Sequence, residues 1–297
     1  MRERLTRIAL GLAAIALGST AAGAATQVDL IDCSGLPGVT VQIGTSKPVK
    51  LLLDTGNAVS ILNLNDAKSL GLSVEPYKTR DGKVIPDYFT TTVENAALGA
   101  LGLTHLTFLV VDLQKAIDQG TFPAAAGTIC YTALKDRVVT IDYLHHKLQL
   151  SEAGAEVTPP ETAGTLSFPT FGHRGPAIVT ATGFLVNGQP VTIQIDTLFT
   201  GTMLIYSTSV DKLGLKTEAG STKIQKFPFT DGGVDMVEGK AKGESFANKD
   251  LMSDAPLYFA TEKVHQPDGM FDGTVGQALF NGRSVTLDFH TNRFWVD

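Results

Sequence analysis

Cysteine is scarce: Cys33 and Cys130 are the only two in 297 residues. That excludes a disulfide-dense miniprotein. Basic residues are also in deficit. Lys and Arg number 24 against 30 Asp and Glu, a formal charge of −6, whereas a nucleic-acid binder needs the opposite surplus. The six histidines form no His-Glu-x-x-His and no ligand cluster, so no metal is expected. There is no Gly-x-Ser-x-Gly elbow for a serine hydrolase and no phosphate-binding Gly-x-x-x-x-Gly-Lys-Ser/Thr loop. No cofactor is expected. Past the N-terminal stretch, no apolar run is long enough to span a bilayer. With 43% hydrophobic and 18% charged residues the chain is neither disordered nor collagen-like.

Glycine, at 30, is plentiful and non-periodic, which favours many tight turns and hence an all-β fold. Arg2, Arg4 and Arg7 precede an apolar stretch from Ile8 to Gly18 and the small-x-small pattern Ala22-Gly23-Ala24. Residues 1–24 therefore read as a secretory signal peptide, the other reading being a retained anchor. Cleavage removes three Arg and one Glu and leaves a charge of −8. The expected product is exported, periplasmic or extracellular, and free of the membrane after signal cleavage. Export permits a disulfide, so Cys33 and Cys130 either pair or remain separate buried thiols.

The rest of the chain repeats itself. Pro48-Val49-Lys50-Leu51-Leu52-Leu53-Asp54-Thr55 aligns with Pro190-Val191-Thr192-Ile193-Gln194-Ile195-Asp196-Thr197, and Leu70-Gly71-Leu72 with Leu213-Gly214-Leu215. Val139-Thr140-Ile141-Asp142-Tyr143 aligns with Val285-Thr286-Leu287-Asp288-Phe289, each aspartate following a glycine, Gly127 or Gly273, at the same interval. Two lobes follow, 25–155 and 171–297, joined by a linker over 156–170 that contains Pro159-Pro160. Each lobe reads as hairpin, sharp loop, short helix and further strands. Asn187-Gly188 predicts one hairpin turn, and Asp81-Gly82 with Asp231-Gly232 predict another in each copy. Asn65 and Ser207 are expected to cap the short helices, which stop at Gly71 and Gly214. Closing hairpins turn near His145 and near Thr291-Asn292. Asp142 and Asp288 are read as turn residues there, and His145-His146 and Lys240-Ala241-Lys242 as solvated.

Each copy ends an apolar strand on one carboxylate, Asp54 or Asp196, just before a loop. A pseudo-twofold axis would bring the two together. Close carboxylates cannot both ionise, so they share a proton. One then activates water as a general base while the other hydrogen-bonds a substrate carbonyl. Thr55 and Thr197 can bond across the axis, and Gly56 lets backbone N–H groups approach the carboxylates.

These residues resemble a known family. Leu51-Leu52-Leu53-Asp54-Thr55-Gly56-Asn57 is similar to the active-site loop of retropepsin- and pepsin-like aspartic proteases, as is Asp196-Thr197-Leu198-Phe199-Thr200-Gly201-Thr202. Thr274-Val275-Gly276, after Asp272-Gly273, matches the family's later apolar-apolar-Gly motif. The resemblance implies a two-lobed pepsin-like fold with a substrate cleft and a flap over it. It implies Asp54 and Asp196 as catalytic residues, with Thr55, Gly56, Thr197 and Leu198 in the supporting loops. The partner would be a peptide or protein substrate, and the chain would act as a monomer because both halves are present. Tyr77 or Tyr88 is either a flap residue or a half-buried strand aromatic.

Two positions depart from the pattern. Leu198 stands where the family has Gly, and either narrows the cleft or twists the loop so that Asp196 no longer faces Asp54. Cys130 stands where the distal Gly belongs, as its spacing before Asp142 matches that of Gly276 before Asp288. Two functions follow as expectations: an exported aspartic endopeptidase, or a catalytically inactive peptide-binding protein of the same fold.

Overall fold

Left-handed backbone at Asn187 (φ 50°) and Gly188 (φ 73°) joins strand Thr180–Val186 to strand Gln189–Ile195. Consecutive positive φ values at an Asn-Gly pair make the tight turn whose twist matches that of the flanking strands. The computed structural model describes residues 25–151, 157–170, 177–215, 225–226, 235–239, 244–246, 249–252, 257–260 and 270–297. The signal-peptide segment, Asp231-Gly232 and Lys240-Ala241-Lys242 lie outside them.

The first half builds a sheet in the order Leu36–Ile43, Val49–Asp54, Gly127–Cys130, Ser60–Asn63, Leu101–Val111, Val84–Leu98. The second half repeats that order with Thr180–Val186, Gln189–Ile195, Gly273–Val275, Met203–Ile205, Leu257–Ala260, Asp235–Gly239. Directions repeat as well. Each aspartate strand runs parallel to its glycine-led neighbour, Val49–Asp54 beside Gly127–Cys130 and Gln189–Ile195 beside Gly273–Val275. Those neighbours run antiparallel to Ser60–Asn63 and Met203–Ile205.

The closing hairpins, Val138–Asp142 with Lys147–Ser151 and Ser284–Asp288 with Arg293–Val296, pair with each other into one sheet beneath both lobes. Thr140 and Thr286, equivalent in the repeat, are register partners there, with hydroxyls 2.9 Å apart. A pair of equivalent residues facing each other marks the pseudo-twofold axis. Thr26–Asp29 and Gly164–Ser167 flank this shared sheet at its two ends, so part of the segment read as linker is a strand. The two-lobed all-β fold implied by the resemblance is the one observed.

Alternation along the strands puts Val39, Val41, Leu51, Leu53, Phe108 and Ile129 into the first core. Phe184, Phe246 and Phe294 pack together in the second, tilted or edge-on to one another, with ring centroids 4.8–5.7 Å apart. Asp142 and Asp288 accept backbone N–H groups of His145 and of His290 and Thr291, each at 2.9 Å, and so serve the closing turns.

The helix caps differ from expectation. Helix Leu64–Ser69 starts after Asn63 and helix Ser207–Val210 after Tyr206, so Asn65 and Ser207 lie inside their helices. The Asn63 side chain is held by one local and one tertiary bond: its amide donates to Asp66 at 2.7 Å and its oxygen accepts the Leu113 N–H at 3.0 Å. The stops at Gly71 (φ 69°) and Gly214 (φ 62°) are as expected. The second lobe also buries a charged residue, Asp272. It accepts the Ser209 hydroxyl (2.8 Å), Lys212 Nζ (3.0 Å) and the Thr192 N–H (2.9 Å). Burial works to raise its pKa, but these bonds prevail and hold it below the usual carboxylate range.

Candidate active site

The duplicated topology carries the ends of strands Val49–Asp54 and Gln189–Ile195 to the axis. Their loops are bonded reciprocally. The Thr55 N–H donates to Thr197 Oγ1 at 3.0 Å and the Thr197 N–H to Thr55 Oγ1 at 3.3 Å. Each hydroxyl then donates to the opposite strand, Thr55 to the Ile195 carbonyl at 3.1 Å and Thr197 to the Leu53 carbonyl. Thr55 and Thr197 are almost wholly buried. A cross-axis grip of this kind fixes the relative position of two loops more rigidly than a single bond does.

Gly56 shows how closely the two halves approach. A Cβ there would stand 2.7 Å from Asp196 Cγ. Only glycine fits, and Asp196 is therefore packed against the Asp54 loop. Asp54 is buried, and burial pushes its pKa up to about 8, helped by the charge of Asp196. Hydrogen bonds from Cys130 and from the Gly56 and Asn57 N–H groups pull the other way. Asp196 is pushed up to about 6 by burial, opposed by the N–H groups of Leu198 and Phe199. Leu198 N lies 2.9 Å from Asp196 Oδ1. The two carboxyls form one coupled unit, and its proton losses belong to the pair. Such a unit can hold one proton near neutrality and act as acid and base together. Among the described residues no group of three His, Cys, Asp or Glu side chains is arranged to hold a metal ion.

Cys130 lies beside this unit. It is the register partner of Asp54 across parallel strands, and its Sγ lies 3.1 Å from the Val59 carbonyl. At the equivalent Gly276 a Cβ would meet the Phe199 carbonyl at 2.0 Å and the Gly201 carbonyl at 2.6 Å. The first loop thus opens enough to admit a thiol where the second requires glycine. Burial, then the charge of Asp54, pushes the Cys130 pKa well above the usual thiol range. Cys33 sits elsewhere, in an apolar cluster of the first lobe; both thiols are buried and free.

Leu198 reaches across to the first lobe. Its half-buried side chain packs against the first-lobe cluster of Cys33, Leu36, Leu52, Phe122 and Ala125, while its N–H still serves Asp196. Leu198→Gly should therefore lower stability by about 2 kcal/mol, through lost burial and added chain entropy. Any peptidase activity should stay within about twofold of wild type. Thermal unfolding and turnover on the same variant check this; a clear gain in turnover would restore the crowded-cleft reading.

Tyr77 and Tyr88 are exposed, at 38% and 43%, rather than half-buried. They lie on the hairpin of Glu75–Lys78 and Val84–Leu98, whose turn closes through Thr79 and Gly82 (φ 84°) as Asp81-Gly82 predicts. With Ile85, Val59 and Thr132 they line a groove of ≈ 780 Å³ beside the loop that follows Asp54. Gln194, passed over in the sequence as one polar residue in an alternating strand, also reaches the site: its amide donates to the Gly56 carbonyl at 3.0 Å.

Residues 39–122 match the family model described as aspartyl protease. Solved structures similar to the chain include an aspartic proteinase from Irpex lacteus, at 12% identity and TM-score 0.47, covering 92% of this chain and 97% of that one. Basic 7S globulin from soybean has 12% identity and TM-score 0.44, with 92% and 94% covered. Conglutin gamma, a basic 7S globulin from lupine seeds, has 10% identity and TM-score 0.49, with the same coverage. No curated protein matches the sequence. The stretch similar to the aspartyl protease model contains the loop Asp54-Thr55-Gly56 that meets its own repeat at the axis.

Proposed function

We propose that the protein is an exported aspartic endopeptidase that hydrolyses peptide bonds with a water activated by Asp54 and Asp196. The observation that carries this reading is the reciprocal Thr55–Thr197 bonding, which holds buried Asp54 and half-buried Asp196, both with raised pKa values, at one axis. The pair shares a proton. Its charged member takes a proton from water as the water attacks the scissile carbonyl. Its protonated member donates to the carbonyl oxygen and stabilises the developing charge. An extended peptide would lie under the hairpin that bears Tyr77 and Tyr88, with apolar side chains in the adjoining groove. No metal or cofactor enters this chemistry.

The basic, apolar and small-residue pattern of residues 1–24 supports work outside the cytoplasm, and two lobes in one chain support a monomer. Leu198 at the family's glycine position favours a second reading, a binding protein that holds peptide without cleaving it. The deciding experiment incubates residues 25–297 with an unfolded protein, with and without a statine-type transition-state analogue. Cleavage blocked by the analogue is the expected result. Peptide binding without cleavage, across pH 4–9, would establish the second reading.

A further inference from the structure

Where the first aspartate strand has Leu52, the second has Gln194, two residues before Asp196. Gln194 Nε2 crosses the lobe boundary and donates to the Gly56 carbonyl at 3.0 Å. Its Oε1 accepts the Thr274 hydroxyl at 3.1 Å, and Thr274 Oγ1 lies 2.5 Å from the Tyr206 hydroxyl. Thr274 has one proton to give and gives it to Gln194, so Tyr206 must donate to Thr274. The chain of donors runs one way, from Tyr206 through Thr274 and Gln194 to Gly56. Thr274 and Tyr206 are buried, at 3% and 7% exposure, so this order is not shared with solvent.

The first lobe has no equivalent. Thr128 is in register with Leu52 as Thr274 is with Gln194, but Leu52 has nothing to bond, and Thr128 accepts the Ile61 N–H at 3.2 Å instead. The relay is thus peculiar to one side of the axis, and it acts on the other side's aspartate. The Gly56 carbonyl belongs to the same rigid peptide plane as the Asn57 N–H. Asp54 stands two residues before that carbonyl, and the Asn57 N–H is among the groups that work to lower its pKa. Fixing the oxygen of a planar peptide fixes the direction of its N–H.

We propose that Gln194 is a positioning residue for Asp54: from the second lobe it pins the Gly56–Asn57 peptide, which begins two residues after Asp54, and so holds the loop that carries this carboxyl. This rests on the reading of Asp54 as half of a catalytic pair. Geometry at Asp54 then depends on the two lobes remaining docked, through a bond distinct from the threonine grip.

The test uses Gln194→Leu, which installs the first lobe's own residue, and Gln194→Glu. Asp54 titration is followed by carbon-13 NMR of labelled aspartate carboxyls, with its resonance assigned by loss in Asp54→Asn. In Gln194→Leu the titration should move up by about half a pH unit or more, since a donor to the charged form is lost. Turnover should fall roughly tenfold in kcat with KM little changed. Gln194→Glu should work near wild-type level at acid pH, where the protonated side chain can still donate to Gly56. It should fail as the carboxyl ionises and repels that oxygen. An unmoved Asp54 titration in folded Gln194→Leu would overturn the proposal. If that variant does not fold, Thr274→Val, which frees the Gln194 amide, should give a smaller upward shift, and no shift there would overturn it equally. A wild type without peptidase activity would overturn the proposed function, while the titration would still decide the role of Gln194.

Discussion

Asp54→Asn is expected to abolish peptide cleavage and to make the folded protein more stable at neutral pH. The loss of turnover should be about a thousandfold or more, because one member of an acid–base pair is gone. The gain in stability follows from linkage. The Asp54 pKa is raised to about 8 in the folded state, chiefly by burial. An unfolded aspartate titrates at about 4. Between those two values the folded protein binds more protons than the unfolded chain, so stability falls as pH rises. Below about pH 4 the penalty vanishes, since Asp54 is protonated in both states, and above about pH 8 it is complete. At about 1.4 kcal/mol per unit, the burden on wild type at pH 8 is on the order of a few kcal/mol. Asparagine escapes it. Thermal unfolding of both proteins from pH 4 to 8 should give curves that nearly meet at the acid end and diverge in favour of the variant above it. Equal turnover would remove Asp54 from the chemistry. Parallel stability curves would mean that its carboxyl is more open to water than its 6% exposure implies.

The duplication was legible because strand ends, turns and their spacings all repeat. Matching Gly127 to Asp142 with Gly273 to Asp288 already made Thr140 and Thr286 equivalent, and these are the residues that face each other on the axis. The threonine grip followed from the same symmetry. What stayed hidden depends on contacts between the halves. Gln194 sits in a strand of alternating apolar and polar residues, the usual mark of one wet face. Its counterpart Leu52 held the missing signal. Leu51, Leu52 and Leu53 are all apolar, as in a strand buried on both faces, which points to partial cover on the equivalent face, and Gln194 is half-buried. The packing of Leu198 stayed hidden for a related reason. Beside an aspartate it looks obstructive, but its side chain goes to the cluster around Phe122, whose position no local pattern announces. The first helix begins one residue beyond Asn63, whose side chain is held by the distant Leu113 N–H and, locally, by Asp66, and no residue pattern near Asn65 announces the Leu113 contact.

The rate of peptide cleavage should be bell-shaped in pH with its maximum near neutrality, which would distinguish this site from one that works only in acid. The argument starts from the two carboxyls, raised to about 6 and about 8. As a coupled pair they lose one proton near the lower value and the second near the higher, and only the singly protonated pair has both an acid and a base. Neighbouring groups do not blur the limbs. Burial and the charge of Asp54 hold Cys130 well above the usual thiol range. Burial likewise holds Tyr206 and Tyr143 far above the usual phenol range, with the charge of Asp196 adding to the effect. Each therefore stays neutral while the pair titrates. On the acid side the charged base is lost below about pH 6, and on the alkaline side the proton donor is lost above about pH 8, so kcat/KM should drop about tenfold for each further unit. At pH 4 it should be about one hundredth of its maximum. Initial rates on an unfolded substrate across pH 3–10, with folding checked at each point, measure this directly. A flat rate from pH 4 to 9 would exclude a mechanism with two aspartates. A maximum near pH 3 would show that solvent reaches the carboxyls and that the closure around Asp54 and Asp196 opens during turnover.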